Sequence, residues 1–157
     1  MAEDVSGGLV KGRAAEISAN IDDMTGEDLG AVMELLLAAG ALDVWFEHIQ
    51  MKKNRPAVKF CVLVRPDETE RFAELVLRHT TTLGVRVREV ERFMLGREVK
   101  SAATRFGEVR IKLGLLGGEV VKAMPEYDDI KKIALDTGLP MEQVRAAVAK
   151  DAEIQTF

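Results

Sequence analysis

Cysteine is almost missing from this sequence. Cys61 is the only one among 157 residues, so an internal disulfide is excluded. It lies in the apolar run Phe60-Cys61-Val62-Leu63-Val64, which marks a buried structural thiol rather than a reactive one, since reactivity needs exposure and positive neighbours. Histidine is nearly as scarce. His48 and His79 stand far apart, and with one cysteine they form no spacing that would hold a soft metal; each reads as a packed or dipole-stabilising residue. Aromatic residues make up 5%, with one tryptophan and one tyrosine, too few to line the open face of an RNA-binding sheet. Trp45 fits a core or an interface position equally. The apolar run 35–39 stops at Gly40 and no other is longer, far short of a membrane span. No basic-then-apolar signal segment opens the chain, so a cytoplasmic location without membrane contact is expected. The net charge of -4 argues against general nucleic-acid binding.

What is present is ordinary globular material: 47% hydrophobic and 31% charged residues, enough for a core without disulfides or a structural metal. The opening stretch, 1–13, is small, polar and glycine-containing and reads as a flexible lead-in. Ala15, Ile17, Ala19 and Ile21 then alternate with polar residues, the period of a strand. Thr25-Gly26-Glu27-Asp28 reads as a helix start with Thr25 as N-cap. Leu29, Val32, Met33, Leu36 and Leu37 form one helical face, closed by Gly40. A second strand runs through Leu42, Val44 and Phe46 toward Ile49, a third from Val58 to Val64. A second helix carries Phe72, Leu75, Val76 and His79. A fourth strand is expected from Leu83 through Val85 and Val87. This β-α-β-β-α-β order predicts an α+β, ferredoxin-like core over 14–95. The remainder, 96–157, reads as a C-terminal hairpin around Phe106-Gly107 and two helices, one ended by Gly138, the other started by Pro140.

That topology gathers three loops at one end of the sheet, and they hold the most unusual polar clusters in the chain. Asn20-Ile21-Asp22-Asp23-Met24-Thr25-Gly26-Glu27 places adjacent carboxylates at a strand end. They suit a hard cation such as Mg²⁺ or Mn²⁺, and equally the capping of a helix. Lys52-Lys53-Asn54-Arg55 offers point charges and a guanidinium fork for phosphate oxygens, or is a solvated hairpin tip. Thr80-Thr81-Thr82-Leu83-Gly84-Val85-Arg86 has the composition of a phosphate cradle, or of a β-prone turn; it is no Walker loop, because no G-x-x-x-x-G-K-[ST] string occurs. Together they pair acids for a metal with cations and hydroxyls for phosphates. A further acidic stretch, Pro125-Glu126-Tyr127-Asp128-Asp129, starts a helix or reaches the same ligand.

These strings, together with Gly40-Ala41-Leu42-Asp43-Val44, Met51-Lys52-Lys53-Asn54-Arg55-Pro56 and Pro125-Glu126-Tyr127, resemble the C-terminal domain of LarC. LarC is the nickel-insertion protein of nickel-pincer nucleotide cofactor synthesis, which supplies lactate racemase. The resemblance runs from about Glu16 to Val144. It implies a CTP-dependent cyclometallase, of the lyase class. Such an enzyme inserts nickel into pyridinium-3,5-bisthiocarboxylic acid mononucleotide while CTP is cleaved with the help of Mg²⁺ or Mn²⁺. On that resemblance Asp22 and Asp23 are metal candidates, and Lys52, Lys53, Arg55, Thr80, Thr81, Thr82 and Arg86 are triphosphate candidates. It also implies a homo-oligomer, and a separate N-terminal domain that has no counterpart in this sequence, as in an excised domain or a split subunit. Two departures stand out: His79 replaces an acid before the threonine run, and Glu47-His48-Ile49-Gln50 replaces a proline-containing stretch. Two readings from other classes compete. One is a regulatory nucleotide-binding module, a frequent use of ferredoxin-like domains; the other is an oligomerisation domain built on exposed edge strands.

Overall fold

The structure, a computed structural model, describes residues 4–6 and 8–154. Along the chain run β1 (Asp4–Ser6), β2 (Leu9–Ile21), α1 (Gly26–Ala38), β3 (Asp43–Met51), β4 (Arg55–Val64), α2 (Thr69–His79), β5 (Arg86–Met94), β6 (Gly96–Thr104), β7 (Gly107–Leu116), β8 (Glu119–Pro125), α3 (Tyr127–Thr137) and α4 (Met141–Asp151). They divide into two compact units, Gly12–Arg92 and a second made of Met1–Lys11 with Phe93–Phe157.

In the first unit the strand order is β5-β2-β4-β3, the ferredoxin-like arrangement. β2 and β4 pair antiparallel from Ala15↔Val64 to Ile21↔Val58, and β3 pairs antiparallel with β4 from Asp43↔Leu63 to Met51↔Arg55. Side chains alternate across a strand, so Ala15, Ile17, Ala19 and Ile21 share one face with Phe60, Val62 and Val64. All seven are buried, and they pack with Leu29, Val32 and Leu36 of α1 and Phe72 and Val76 of α2. Each large apolar side chain buried here contributes about 1.5–3 kcal/mol.

The helix ends follow the sequence signals. Thr25 Oγ1 accepts from the Asp28 amide at 3.1 Å and donates to Asp28 Oδ2 at 2.7 Å, so the cap and the third residue of the helix hold each other. At the other end Ala41 N donates to Leu36 O and Gly40 N to Leu37 O, each at 3.0 Å, with Gly40 at φ +101°. Only glycine adopts that conformation freely. The fourth core strand starts later than the alternation of Leu83, Val85 and Val87 suggested. It begins at Arg86, and 81–85 form an irregular loop.

The expected lead-in also differs. Residues 1–3 and 7 lie outside the described residues, whereas Asp4–Ser6 and Leu9–Lys11 form an antiparallel pair, and β2 already includes Leu9 to Arg13. The strand therefore begins well before its alternating part. The C-terminal hairpin gains a third strand. β6-β7-β8 form an antiparallel sheet whose Val109, Ile111 and Leu113 pack against Ile130 of α3 and Val144 and Val148 of α4. Two matching clamps tie these helices down. Asp129 accepts from the Arg110 amide, Nε and Nη2 at 2.7–3.0 Å. Asp151 accepts from the same three groups of Arg105 at 2.6–2.9 Å. The guanidinium of Arg105 and its backbone amide hold the Asp151 carboxyl at about 2, below its ordinary 3.8.

A close backbone approach within this second unit can be tested directly. Gly8 O accepts from Gly117 N at 3.2 Å, and a Cβ on Gly8 would sit 2.5 Å from Gly117 N with φ at +80°. Gly8→Ala meets backbone, which cannot yield, as well as strain. It should cost on the order of 2–3 kcal/mol in urea denaturation, against about 1 kcal/mol for Gly107→Ala, whose added methyl meets nothing. The Asp151 clamp has a pH signature. Because its carboxyl titrates lower folded than unfolded, its contribution is complete above pH about 4 and is lost as pH falls through about 2. Asp151→Asn should therefore lower the melting temperature at pH 7, and the gap from wild type should close as pH falls through that window.

Candidate functional site

The three polar loops meet at one end of the first unit, where the second and third are tied to the 20–27 segment by side chains. Arg55 Nη1 donates to Asp22 Oδ2 at 3.0 Å. Thr81 Oγ1 donates to Asp23 Oδ1. Arg86 Nη2 donates to Asn20 Oδ1 at 2.6 Å. Residues 33, 58 and 66 positions apart in sequence are thus joined through Asn20, Asp22 and Asp23 at the end of β2. The topology makes this possible: β2 ends, β3 turns into β4, and β5 begins at the same edge.

These contacts bear on the capping alternative for the acidic string. Capping of α1 is performed by Thr25 and Asp28; Asp22 and Asp23 precede the helix and turn instead toward Arg55 and Thr81. Both are exposed, and Asp22 and Arg55 keep 23% and 57% of their side-chain surface. Such a pair is worth at most about 1 kcal/mol and exchanges partners readily. The donors are carboxylate oxygens only. Among the described residues no three of His, Cys, Asp or Glu come together as a protein-only metal cage. The chemistry of the pair fits a hard divalent ion that completes its shell from outside the chain.

In the loop between β3 and β4, Lys52, Lys53 and Arg55 are exposed. Lys53 lies at φ 61°, ψ 20° and Asn54 at φ 59°. Asparagine tolerates the left-handed region; lysine there is uncommon and costs about 1–2 kcal/mol. Backbone strain of this kind gathers at functional loops. The threonine run is held by its own hydroxyls. Thr80 Oγ1 donates to Val76 O at 2.7 Å, closing α2, and Thr82 Oγ1 donates to Gly84 O at 2.9 Å. Thr80's hydroxyl is therefore engaged inside the chain, and Thr81's reaches across to the first loop. Asn20 stands first in the acidic string, where its residue type signals no role of its own; the structure makes it the partner of Arg86.

Across the face of the sheet turned away from the helices runs a charge ladder. Glu47, Lys59, Glu16 and Arg88, on β3, β4, β2 and β5, are linked at 3.0, 3.9 and 3.0 Å. The hydrogen bond from Lys59 lowers the Glu47 carboxyl, and the same bond raises Lys59. Glu47 also accepts from Trp45 Nε1 at 3.2 Å. The departure at Glu47-His48-Ile49-Gln50 thus supplies one end of this ladder. Arg13–Glu89, Glu16–Arg88 and Asn20–Arg86 rise along β2 as they descend β5, so these strands run antiparallel. Cys61, beneath the ladder, is fully buried, and burial pushes its thiol up to about 11, which fits an inert structural role. His79 is the exposed last residue of α2. In the second unit Glu126 precedes α3, pairing with Lys112 at 3.1 Å, and Tyr127 is 57% exposed. No helix among the described residues is long and apolar enough to cross a membrane.

Comparison with known proteins places this geometry. The family model described as nickel insertion protein matches residues 4–145. A pyridinium-3,5-bisthiocarboxylic acid mononucleotide nickel insertion protein of Alkaliphilus metalliredigens is 42% identical over 148 residues, covering 94% of this chain and 35% of that protein. The protein of the same name from Acetivibrio thermocellus is 42% identical over 134 residues, covering 85% and 33%. The chain thus spans about a third of the length of these curated relatives. Among solved structures, the apo C-terminal domain of a cyclometallase involved in the synthesis of the NPN cofactor of lactate racemase has a TM-score of 0.85 and 39% identity, covering 91% of this chain and 99% of that one. A protein of Methanopyrus kandleri has a TM-score of 0.69 at 26% identity, covering 94% and 92%. A family match over this much of the chain, with relatives 42% identical over 85–94% of it, makes the chain a member of the nickel insertion protein family.

Proposed function

We propose that this chain is the metal–nucleotide-holding domain of a nickel insertion protein. In this reading it binds CTP with Mg²⁺ or Mn²⁺ at the edge formed by 20–27, 51–56 and 79–86. It does so while nickel is inserted into pyridinium-3,5-bisthiocarboxylic acid mononucleotide and CTP is cleaved, the reaction of a cyclometallase in the lyase class. The names of the relatives support the nickel chemistry. The observation that carries the nucleotide reading is the set of three contacts, Asp22–Arg55, Asp23–Thr81 and Asn20–Arg86. They bring carboxylates, cations and hydroxyls from three loops to one place. The remaining portion represented in the relatives, and further copies of the chain, are the partners this reading expects.

The residues divide by chemistry. Asp22 and Asp23 would hold the divalent ion. When bound, that ion would neutralise charge on phosphate oxygens. Arg55 and Arg86 present forked donors, and Lys52 and Lys53 compact charges, for the terminal phosphates as negative charge builds on the departing group. Thr81 adds a hydroxyl donor, while Thr80, which closes α2, and Thr82, which bridges to Gly84, position the run. Nickel enters as substrate.

Calorimetric titration of CTP and ATP in the presence of Mn²⁺ tests this. CTP should bind with a requirement for the metal, and Asp22→Ala and Arg86→Ala should each weaken it by at least roughly tenfold while circular dichroism stays unchanged. Binding of neither nucleotide would overturn the reading; CTP bound and never cleaved, even with the full set of partners, would favour the regulatory module. Lys53→Gly should separate fold from function. Relief of the left-handed lysine, less the entropy glycine adds to the unfolded chain, should raise stability by up to about 1 kcal/mol in urea. The lost charge should at the same time weaken CTP.

A further inference from the structure

The loop 80–86 holds two residues that its internal hydrogen bonds leave unexplained. Leu83 has a relative exposure of 101%, the highest of the exposed large hydrophobic side chains in the described residues. It is no floppy tip. Thr80 N and Oγ1 fasten one end to Val76 O at 3.0 and 2.7 Å, and Val85 packs against the core at the other. Thr82 and Gly84 exchange hydrogen bonds across the leucine at 2.9 and 3.5 Å. The loop is thus braced on both sides, and the brace turns a leucine fully into water. Gly84 is the second oddity. Its φ lies outside the region that favours glycine, and a Cβ there would meet nothing within 4 Å. Neither backbone conformation nor packing inside the chain requires glycine at this position. Without a side chain, its peptide face lies open to close approach by a group from outside the chain.

An apolar side chain next to a bare peptide face, one residue from Thr82 and two from Arg86, is the composition of a platform for a flat ring. The faces of flat rings lie against aliphatic and peptide surfaces, while their attached phosphates go to hydroxyls and guanidinium groups. We propose that Leu83 and Gly84 form the contact for the heteroaromatic ring of a bound nucleotide, Leu83 by apolar contact and Gly84 by leaving its peptide face uncovered. This rests on the nucleotide reading above and assigns residues that the metal and phosphate set does not include. Cytosine and a pyridinium ring share the chemistry, and the experiment separates them.

Binding of three probes to the whole chain is measured with Mn²⁺ present: CTP, tripolyphosphate, which lacks a ring, and nicotinic acid mononucleotide, which carries a pyridinium. Leu83→Ala should weaken a ring-bearing probe roughly five- to tenfold and leave tripolyphosphate unchanged. Gly84→Ala should do the same without lowering the melting temperature. Loss confined to CTP identifies cytosine as the ring; loss confined to the mononucleotide identifies the pyridinium. Equal loss for tripolyphosphate, or no loss for any probe that wild type binds, overturns the proposal and leaves the nucleotide reading standing. A change of oligomer mass in Leu83→Ala with nucleotide affinity intact overturns it too, making the leucine a protein contact. If wild type binds none of the three, the nucleotide reading itself fails and this inference falls with it.

Discussion

The pairing of β2 with β4 is the constraint on which the first unit depends. From Ala15↔Val64 to Ile21↔Val58 two apolar rows lie side by side, and both helices pack on them. Side chains in a strand alternate with a period of two, so a slip of one residue would turn both rows to the wrong face. The register is therefore held by the burial of Ile17, Phe60 and Val62, all at 0% exposure. Once it is set, the ends of the strands are set as well. Asp22 and Asp23 directly follow the last residue of β2, and Arg55 opens β4. The polar edge is thus a consequence of core packing several residues away, and no loop has to find its partner unaided.

This explains which features were legible in the sequence. The rows Ala15-Ile17-Ala19-Ile21 and Val58 to Val64, and the faces Leu29-Val32-Leu36 and Phe72-Val76, announce their elements through burial, and the ferredoxin-like order follows from them. Features decided by backbone hydrogen bonding rather than burial were harder to read. Leu9 to Arg13 looks like a lead-in because it lacks alternation, yet Lys11 pairs with Asp4. Leu83 looks like a strand residue because it is apolar and spaced by two from Val85, yet Thr82 and Gly84 close a turn around it. β8 is short, its register shifts at Gly114 and Leu115, and so its alternation is broken where a reader would look for it. The polar residues of the edge could be listed from the sequence; their partners could not, because Asn20–Arg86 and Asp23–Thr81 join segments 66 and 58 residues apart.

The same physics bears on how such an edge can be both ordered and receptive. Three of its donors are occupied in the chain by another member of the set: Arg55 by Asp22, Thr81 by Asp23, Arg86 by Asn20. Left unpaired, the long side chains would spread over many rotamers, and a ligand would have to order them at a cost of about 0.5–1.5 kcal/mol each. Paired at exposed positions, they are held near one another for at most about 1 kcal/mol per contact. A ligand that brings several phosphate charges and a divalent ion offers each charged group a stronger partner of opposite sign. Asp22 exchanges a cation for a cation, and Arg55 an anion for an anion, so the exchange leaves no buried charge uncompensated. On the proposed function, metal and nucleotide therefore compete with the same internal contact. Occupation of Asp22 by the ion frees Arg55 for phosphate, and occupation of Arg55 by phosphate frees Asp22 for the ion. By thermodynamic linkage each must then raise the affinity for the other by the same factor, and the strength of that mutual dependence is set by the ion pair they jointly displace.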